Sequence, residues 1–140
     1  MPTAIVLDTS VLIAGLRSPR GASFILLQLL GSGSFRVSVS VPLVLEYEAV
    51  AKEHFRTIGL THAEIDDVID YICNVADHRE IYYLWRPFLR DPKDDMVLEL
   101  AVESGAEYIV THNLRDFAGV EKFGIEAISP GLFLKRLKLI

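Results

Sequence analysis

Acidic side chains from four distant parts of the chain stand where they could cooperate in one reaction. Asp8 directly follows the apolar run 4–7, and Glu46 lies one turn into a helix that follows the alternating run 36–41. An acidic cluster at 91–95 begins another helix, and a polar turn follows the apolar run 108–110. The polar residues concerned are Asp8, Glu46, Asp91, Asp94, Asp95, Asn113 and Asp116.

Carboxylates gathered at one place repel one another and raise each other's pKa values, so such a cluster normally persists because a cation occupies it. An all-oxygen donor set selects a hard ion, Mg²⁺ or Mn²⁺. Only His112 lies near these positions and no cysteine does, which argues against zinc. A magnesium site that keeps open positions is suited to phosphodiester hydrolysis, because the ion polarises a phosphoryl oxygen and activates water.

Each acid also has a simpler interpretation. Asp8 could cap a helix, Glu46 could be a solvated helix-surface acid, and Asp116 could cap the turn before Phe117. The cluster 91–95 could only complement the dipole of the helix that it begins. The metal-site interpretation is favoured because four separate accidents at one edge are less probable than one site.

Alternating strands and helices are the elements that would bring these acids together. Strands are predicted over 4–7, 36–41, 81–84, 108–110 and 125–128, and helices over 9–16, 22–30, 42–59, 62–73, 94–104 and 130–137. This order predicts right-handed parallel crossovers and an α/β, three-layer fold. We expect a mainly parallel central sheet of four or five strands with helices on both faces, in one domain over residues 1–140. In such a sheet, ligands bind at the carboxyl ends of the strands.

Composition narrows the class of protein. The chain has 140 residues, 51% hydrophobic, and a net charge of −5. These values exclude an intrinsically disordered chain and one that holds nucleic acid by bulk positive charge. Cys73 is the only cysteine, so no internal disulfide can form, and no apolar run reaches the roughly 20 residues of a membrane helix. We therefore expect a soluble cytoplasmic protein.

The ordered set of motifs resembles the PIN-domain family of ribonucleases over about residues 3–130. Residues 5–12 resemble its first motif, 42–47 its second, 91–101 its third and 106–117 its fourth. The likeness is greatest to bacterial PIN proteins that act as toxins of toxin–antitoxin pairs, the VapC-like toxins.

The resemblance implies a role for each acid. Its catalytic residues would be Asp8, Glu46, Asp94 and Asp116, and its metal ligands Asp8, Asp94, Asp95 and Asp116. Asp94 is preferred to Asp95 because it keeps the family's spacing to Ala101. Asn113 stands where many members carry an acid, so Asp116 is expected to replace it. Ser10, Thr111 and Asn113 would orient carboxylates or water by hydrogen bonds, although ordinary strand-end capping explains them equally well.

The activity implied is hydrolysis of single-stranded RNA that depends on one or two Mg²⁺ or Mn²⁺ ions. Arg17, Arg90, Lys93 and Arg115 flank the motifs and could hold phosphates, or could simply be solvated. The family implies a homodimer, to which the apolar stretch 24–30 could contribute, and a small antitoxin partner.

Two other functions compete with this prediction. A PIN fold that binds RNA or a partner without cutting is favoured by Asn113. A receiver-type signalling domain also collects acids at strand ends, but it requires a phosphoacceptor Asp after the third strand and a Lys near the end of a later strand, and neither falls in place. A haloacid-type phosphatase is disfavoured because residues 8–10 lack the second acid of Asp-x-Asp.

Overall fold

The computed structural model describes residues 2–140; Met1, the first residue of the predicted domain, lies outside the described residues. The strands are β1 (Thr3–Leu7), β2 (Phe35–Val39), β3 (Asp77–His78), β4 (Tyr108–Val110) and β5 (Glu126–Ile128). The α-helices are α1 (Thr9–Arg17), α2 (Ala22–Gln28), α3 (Val41–Glu53), α4 (Phe55–Ile58), α5 (His62–Val75), α6 (Pro92–Ser104) and α7 (Pro130–Arg136). Two 3₁₀ helices, η1 (Leu114–Phe117) and η2 (Val120–Phe123), lie between β4 and β5.

All five strands are parallel and form one sheet in the order β3-β2-β1-β4-β5. The central strand β1 pairs with β2 through Ile5 and Val37, and with β4 through Leu7 and Val110. Ile5, Val6 and Leu7 are all buried. Because successive side chains of a strand point to opposite faces, both faces of the sheet are covered. The predicted α/β fold with a parallel sheet is confirmed.

Helix α6 packs against β1, β2 and β4. Its first residue is Pro92, and the Asp91 side chain caps it by accepting a hydrogen bond from the Lys93 backbone N–H at 2.9 Å. Gly105 ends it in the left-handed conformation, at a φ of 67° that favours glycine. A capping box formed by Thr61 and Glu64 likewise begins α5, and both residue types are those that such a box requires. Local end signals therefore place α5 and α6 correctly.

Two sequence predictions of secondary structure are wrong. The predicted strand over 81–84 is irregular, and the edge strand forms earlier, at β3, where Arg36 on β2 forms an ion pair with Asp77. The predicted helix over 42–59 is interrupted at His54, so that α3 and α4 are separate helices. The side chains of Tyr82, Tyr83 and Leu84 are exposed, and these residues pair with no neighbouring strand within residues 2–140.

None of the helices within residues 2–140 has the length and apolar character needed to cross a bilayer.

Candidate metal-binding and catalytic site

Asp8 lies at the carboxyl end of the central strand with its side chain buried. Its backbone N–H donates to the Val110 carbonyl at 2.9 Å, which continues the pairing of β1 with β4. The carboxylate makes no capping hydrogen bond to α1. Its Oδ2 instead accepts hydrogen bonds from the Ser10 and Thr111 hydroxyls, each at 2.7 Å. The helix-capping interpretation of Asp8 is therefore wrong, and two hydroxyl groups hold its carboxylate in place.

Glu46 lies beside Asp8 because α3 is fixed to the end of β1. The Tyr47 hydroxyl donates to the Leu7 carbonyl at 2.5 Å, and the Thr9 hydroxyl donates to Glu46 Oε2 at 2.5 Å. Burial and the charges of Asp8 and Glu46 raise the pKa of Tyr47, so the phenol stays protonated and keeps donating. The role of Tyr47 was missed from the sequence, although its position next to Glu46 was a signal.

Asp94, in the first turn of α6, carries the most perturbed carboxylate. Partial burial, followed by the charges of Asp8, Asp116, Asp91 and Glu46, raises its pKa from 3.8 to about 7. No Lys or Arg within residues 2–140 forms an ion pair with it. We call Asp8, Glu46, Asp94 and Asp116 the acidic edge, a group of like charges that lacks a cationic partner in the described part of the chain.

Asp95, also predicted as a metal ligand, is directed elsewhere. It is 1% exposed, and its Oδ1 accepts backbone hydrogen bonds from Phe88 at 3.3 Å and Leu89 at 2.8 Å. Its structural neighbour Glu99, 2% exposed, accepts from the Trp85 backbone N–H at 2.9 Å and forms an ion pair with Arg86 at 2.6 Å. Both carboxylates thus hold residues 81–90, which we call the strap. Sequence reasoning missed the role of Glu99, since its partners are 13 and 14 residues away.

The turn after β4 supplies the remaining polar groups. Thr111, fully buried, donates to Asp8 and accepts from the Asn113 backbone N–H at 2.9 Å. The Ser10 hydroxyl accepts from the His112 backbone N–H at 3.2 Å. Thr111 and Ser10 therefore link the ends of β1 and β4. Asn113 and Asp116 are exposed, and the charge of Asp116 contributes to the raised pKa of Asp94.

Three of the four predicted phosphate-binding side chains line openings beside the acidic edge. Arg17 lines a cleft of about 430 Å³ together with Ser10 and Glu46. Arg90 and Arg115 line a cavity of about 520 Å³ together with Asp116. Lys93, the fourth, is exposed one residue before Asp94. None of the four forms an ion pair within residues 2–140, which leaves their charges available to an anion.

The donor set of the acidic edge fits a hard divalent cation. All four side chains offer carboxylate oxygens, and their mutual repulsion is the unfavourable interaction that a cation would relieve. Within residues 2–140, no three His, Cys, Asp or Glu side chains converge closely enough to enclose an ion directly. The arrangement is therefore an open one, of the kind in which Mg²⁺ is held by one or two carboxylates and keeps several waters.

Comparison with solved structures shows the same fold in two bacterial complexes. One is described as the crystal structure of VapBC2 from Rickettsia felis bound to a DNA fragment from their promoter, with a TM-score of 0.63, 11% identity and coverage of 91% of this chain and 98% of that chain. The other is the crystal structure of DNA-bound VapBC from Salmonella typhimurium, with a TM-score of 0.63, 17% identity and coverage of 93% and 99%.

Comparison of the sequence with family models shows the family to which the chain belongs. The curated proteins contain no significant match to the chain. The PIN domain matches residues 4–115, which include β1, α3, α6 and β4 and three acids of the acidic edge. This assignment confirms the resemblance to PIN domains and rejects the receiver-type alternative, whose phosphoacceptor Asp has no counterpart after β3, where Arg79 and Glu80 follow. The chain belongs to the PIN-domain family.

Proposed function

We propose that this protein is a metal-dependent endoribonuclease that cleaves single-stranded RNA and serves as the toxin of a toxin–antitoxin pair. The observation that carries the proposal is the acidic edge: Asp94 is partly buried and close to the charges of Asp8, Asp116 and Glu46, and no Lys or Arg in residues 2–140 forms an ion pair with it. Such repulsion costs stability and is characteristic of functional sites.

The cofactor in this proposal is Mg²⁺ or Mn²⁺, as one or two ions. Asp8 and Asp94 would hold it directly, and Asp116 and Glu46 through water. When bound, the ion would polarise a phosphoryl oxygen and lower the pKa of water at the site. Asp95 is not included, because its carboxylate is buried and already accepts two backbone hydrogen bonds.

The other side chains of the site position these groups. Ser10 and Thr111 hold one oxygen of Asp8, which leaves its Oδ1 without a donor in residues 2–140. Thr9 holds Glu46 in the same way. Arg90 and Arg115 would bind phosphates that enter the cavity beside Asp116. Carboxylates held by hydroxyl donors, together with arginine side chains that have no ion pair in residues 2–140, suit a site that binds a flexible phosphodiester chain.

A direct assay tests the hydrolytic activity. Purified protein is incubated with 5′-labelled single-stranded RNA and Mn²⁺, with excess EDTA or duplex RNA as controls. We expect cleavage of the single strand that EDTA abolishes, and products with a 5′-phosphate on the downstream fragment. Binding of single-stranded RNA without cleavage at any Mn²⁺ concentration would overturn the proposed nuclease.

The partner is proposed from the two solved structures, which are VapBC complexes. We propose a small antitoxin that blocks the acidic edge, and a homodimer of this chain. In the predicted dimer stretch, Leu26 and Leu30 are buried in the core, while Phe24 and Leu27 line an apolar cleft of about 300 Å³. The antitoxin is tested by expressing the protein: we expect growth arrest that the product of a small neighbouring gene relieves. The homodimer is tested by measuring the molar mass of the purified protein by light scattering.

A second candidate is a PIN fold that binds RNA without cutting it. Asn113 favours it, because an amide stands where the resemblance expects an acid. Asn113→Asp distinguishes the two candidates: a gain of cleavage from an inactive wild-type protein supports the binding module, and cleavage by the wild-type protein rejects it.

A further inference from the structure

The strap, residues 81–90, is an irregular segment whose backbone is held firmly. Glu99 accepts from the Trp85 backbone N–H at 2.9 Å, and Asp95 accepts from those of Phe88 and Leu89 at 3.3 and 2.8 Å. Both acids lie on α6 and are almost fully buried. The strap is therefore fixed to the helix that also carries Asp94.

This fixed segment presents large apolar rings to solvent. Tyr83 is 71% exposed and Trp85 is 39% exposed, and their rings stack with centroids 6.0 Å apart and planes at 27°. Phe123 of η2 makes edge contacts with Trp85 and Phe88, each at 5.2 Å between centroids. Together Tyr83, Trp85, Phe123 and Phe88 form a continuous series that we call the aromatic run. Tyr83, Trp85 and Phe88 are exposed, whereas Phe123 is half-buried against the core and supports Trp85 and Phe88.

The aromatic run ends at the acidic edge. Phe88 lines the cavity of about 520 Å³ that also contains Arg90, Arg115 and Asp116. Asp116 is close enough to Asp94 for its charge to raise the pKa of that group. The aromatic run therefore adjoins the guanidinium groups of Arg90 and Arg115, which have no ion pair in residues 2–140, and these adjoin the carboxylates of the acidic edge.

We propose that the aromatic run binds unpaired bases of a single-stranded RNA by stacking, while Arg90 and Arg115 hold the adjoining phosphates. This inference rests on the proposed ribonuclease function. Exposed rings next to free cations are the combination by which proteins bind single strands, since every base has a face that can stack. Arg90 and Arg115 have no ion pair in residues 2–140, so their guanidinium groups are available to the phosphates that a bound strand would place beside the rings.

The single tryptophan makes stacking directly measurable, since Trp85 is the only one in the chain. The Asp8→Asn protein, in Mg²⁺, is titrated with a twelve-nucleotide oligouridylate and with an abasic ribose-phosphate strand of the same length. We expect fluorescence quenching by the base-bearing strand, at least fivefold weaker binding of the abasic strand and no quenching by it. Equal affinity for both strands without quenching overturns stacking.

Variants of the active protein separate stacking from a structural role. Tyr83→Ala removes an exposed ring, and we expect a five- to twentyfold rise in KM for single-stranded RNA with kcat changed less than twofold. Tyr82→Ala is the matched control, because Tyr82 is its exposed neighbour, and its hydroxyl donates to Glu80 away from the aromatic run. An equal KM rise in both variants, or none in either, overturns the proposal. A Tyr83→Ala protein that changes its oligomeric state but not its KM shows a protein interface instead.

The two proposals fail in different ways. If the wild-type protein never cleaves RNA but the oligouridylate quenches Trp85, the nuclease fails and stacking stands. If the wild-type protein cleaves but Tyr83→Ala leaves KM unchanged, stacking fails and the nuclease stands.

Discussion

Helix α6 carries two kinds of buried or half-buried acid within the six residues 94–99. Asp95 and Glu99 face the strap, and each accepts at least two hydrogen bonds from it. Asp94 faces the acidic edge and accepts none within residues 2–140, while burial and four neighbouring acids raise its pKa to about 7. A buried acid with hydrogen-bond donors therefore supports the structure, whereas an acid placed among like charges has surroundings that a bound cation would stabilise.

The largest effect is expected of Asp8→Asn, which removes one negative charge from the acidic edge. The amide keeps an oxygen that can accept from Ser10 and Thr111, so the fold should be retained. Loss of the charge should lower kcat/KM for RNA by about 10²–10³-fold, a typical effect of removing a group that stabilises transition-state charge. Steady-state cleavage with Mn²⁺ measures it, and Asp67→Asn, an exposed acid on α5, is the control. Activity near that of the wild-type protein would remove Asp8 from the site.

The opposite behaviour is expected of Asp95→Ala. It leaves the backbone N–H groups of Phe88 and Leu89 without their acceptor, which should lower the free energy of unfolding by about 2–4 kcal/mol. Mn²⁺ affinity of the folded protein should change less than threefold. Urea denaturation and calorimetric titration measure the two quantities. A stable variant with lost Mn²⁺ binding would return Asp95 to the metal ligands.

The acidic edge could be predicted from the sequence because its acids lie next to recognisable ends of strands and beginnings of helices. Asp8 ends an apolar run, and Asp94 follows a proline and a capping Asp91. The sequence favoured Asp94 by its spacing to Ala101 but could not exclude Asp95 as a ligand, since the donors to Asp95 come from an irregular segment whose path depends on tertiary contacts. The same segment explains the wrong strand over 81–84: aromatic residues favour strands, but here acceptors on α6 replace a neighbouring strand.

The stability of the metal-free protein should depend on pH through Asp94. Its pKa is raised from 3.8 to about 7, so the folded, metal-free protein holds a proton between these values that the unfolded chain releases. The stability that this proton contributes is fully present below pH 4 and is lost as pH rises through 7. Asp94→Asn should therefore gain about 1–2 kcal/mol over the metal-free wild-type protein between pH 4 and 8, a figure reduced because Asp94 is partly exposed.

The same proton competes with the metal. Mn²⁺ affinity of the wild-type protein should fall about tenfold for each pH unit below 7 and level off above it. Calorimetric titration from pH 5.5 to 8.5 measures this, with thermal unfolding of both proteins in EDTA for the stability difference. A pH-independent affinity, or a stability difference that does not grow with pH, would contradict the assignment of Asp94.

The smallest expected effect separates the two polar residues of η1 and its preceding turn. Asp116→Asn should weaken Mn²⁺ binding about tenfold, because it removes a charge that acts on Asp94. Asn113→Ala should weaken it less than threefold, since only the Asn113 backbone takes part in the hydrogen bonds to Thr111. Titration of both variants at pH 8 tests the order, and the reverse order would make Asn113 the ligand.

An anomalous difference map from a crystal of the protein soaked in Mn²⁺ tests directly whether the acidic edge binds a divalent cation. We predict a peak at the acidic edge, about 2.1 Å from oxygens of Asp8 and Asp94, with Asp95 still hydrogen-bonded to the strap. A peak coordinated by Asp95, or a map without any peak at the acidic edge in a protein that cleaves RNA, would contradict it.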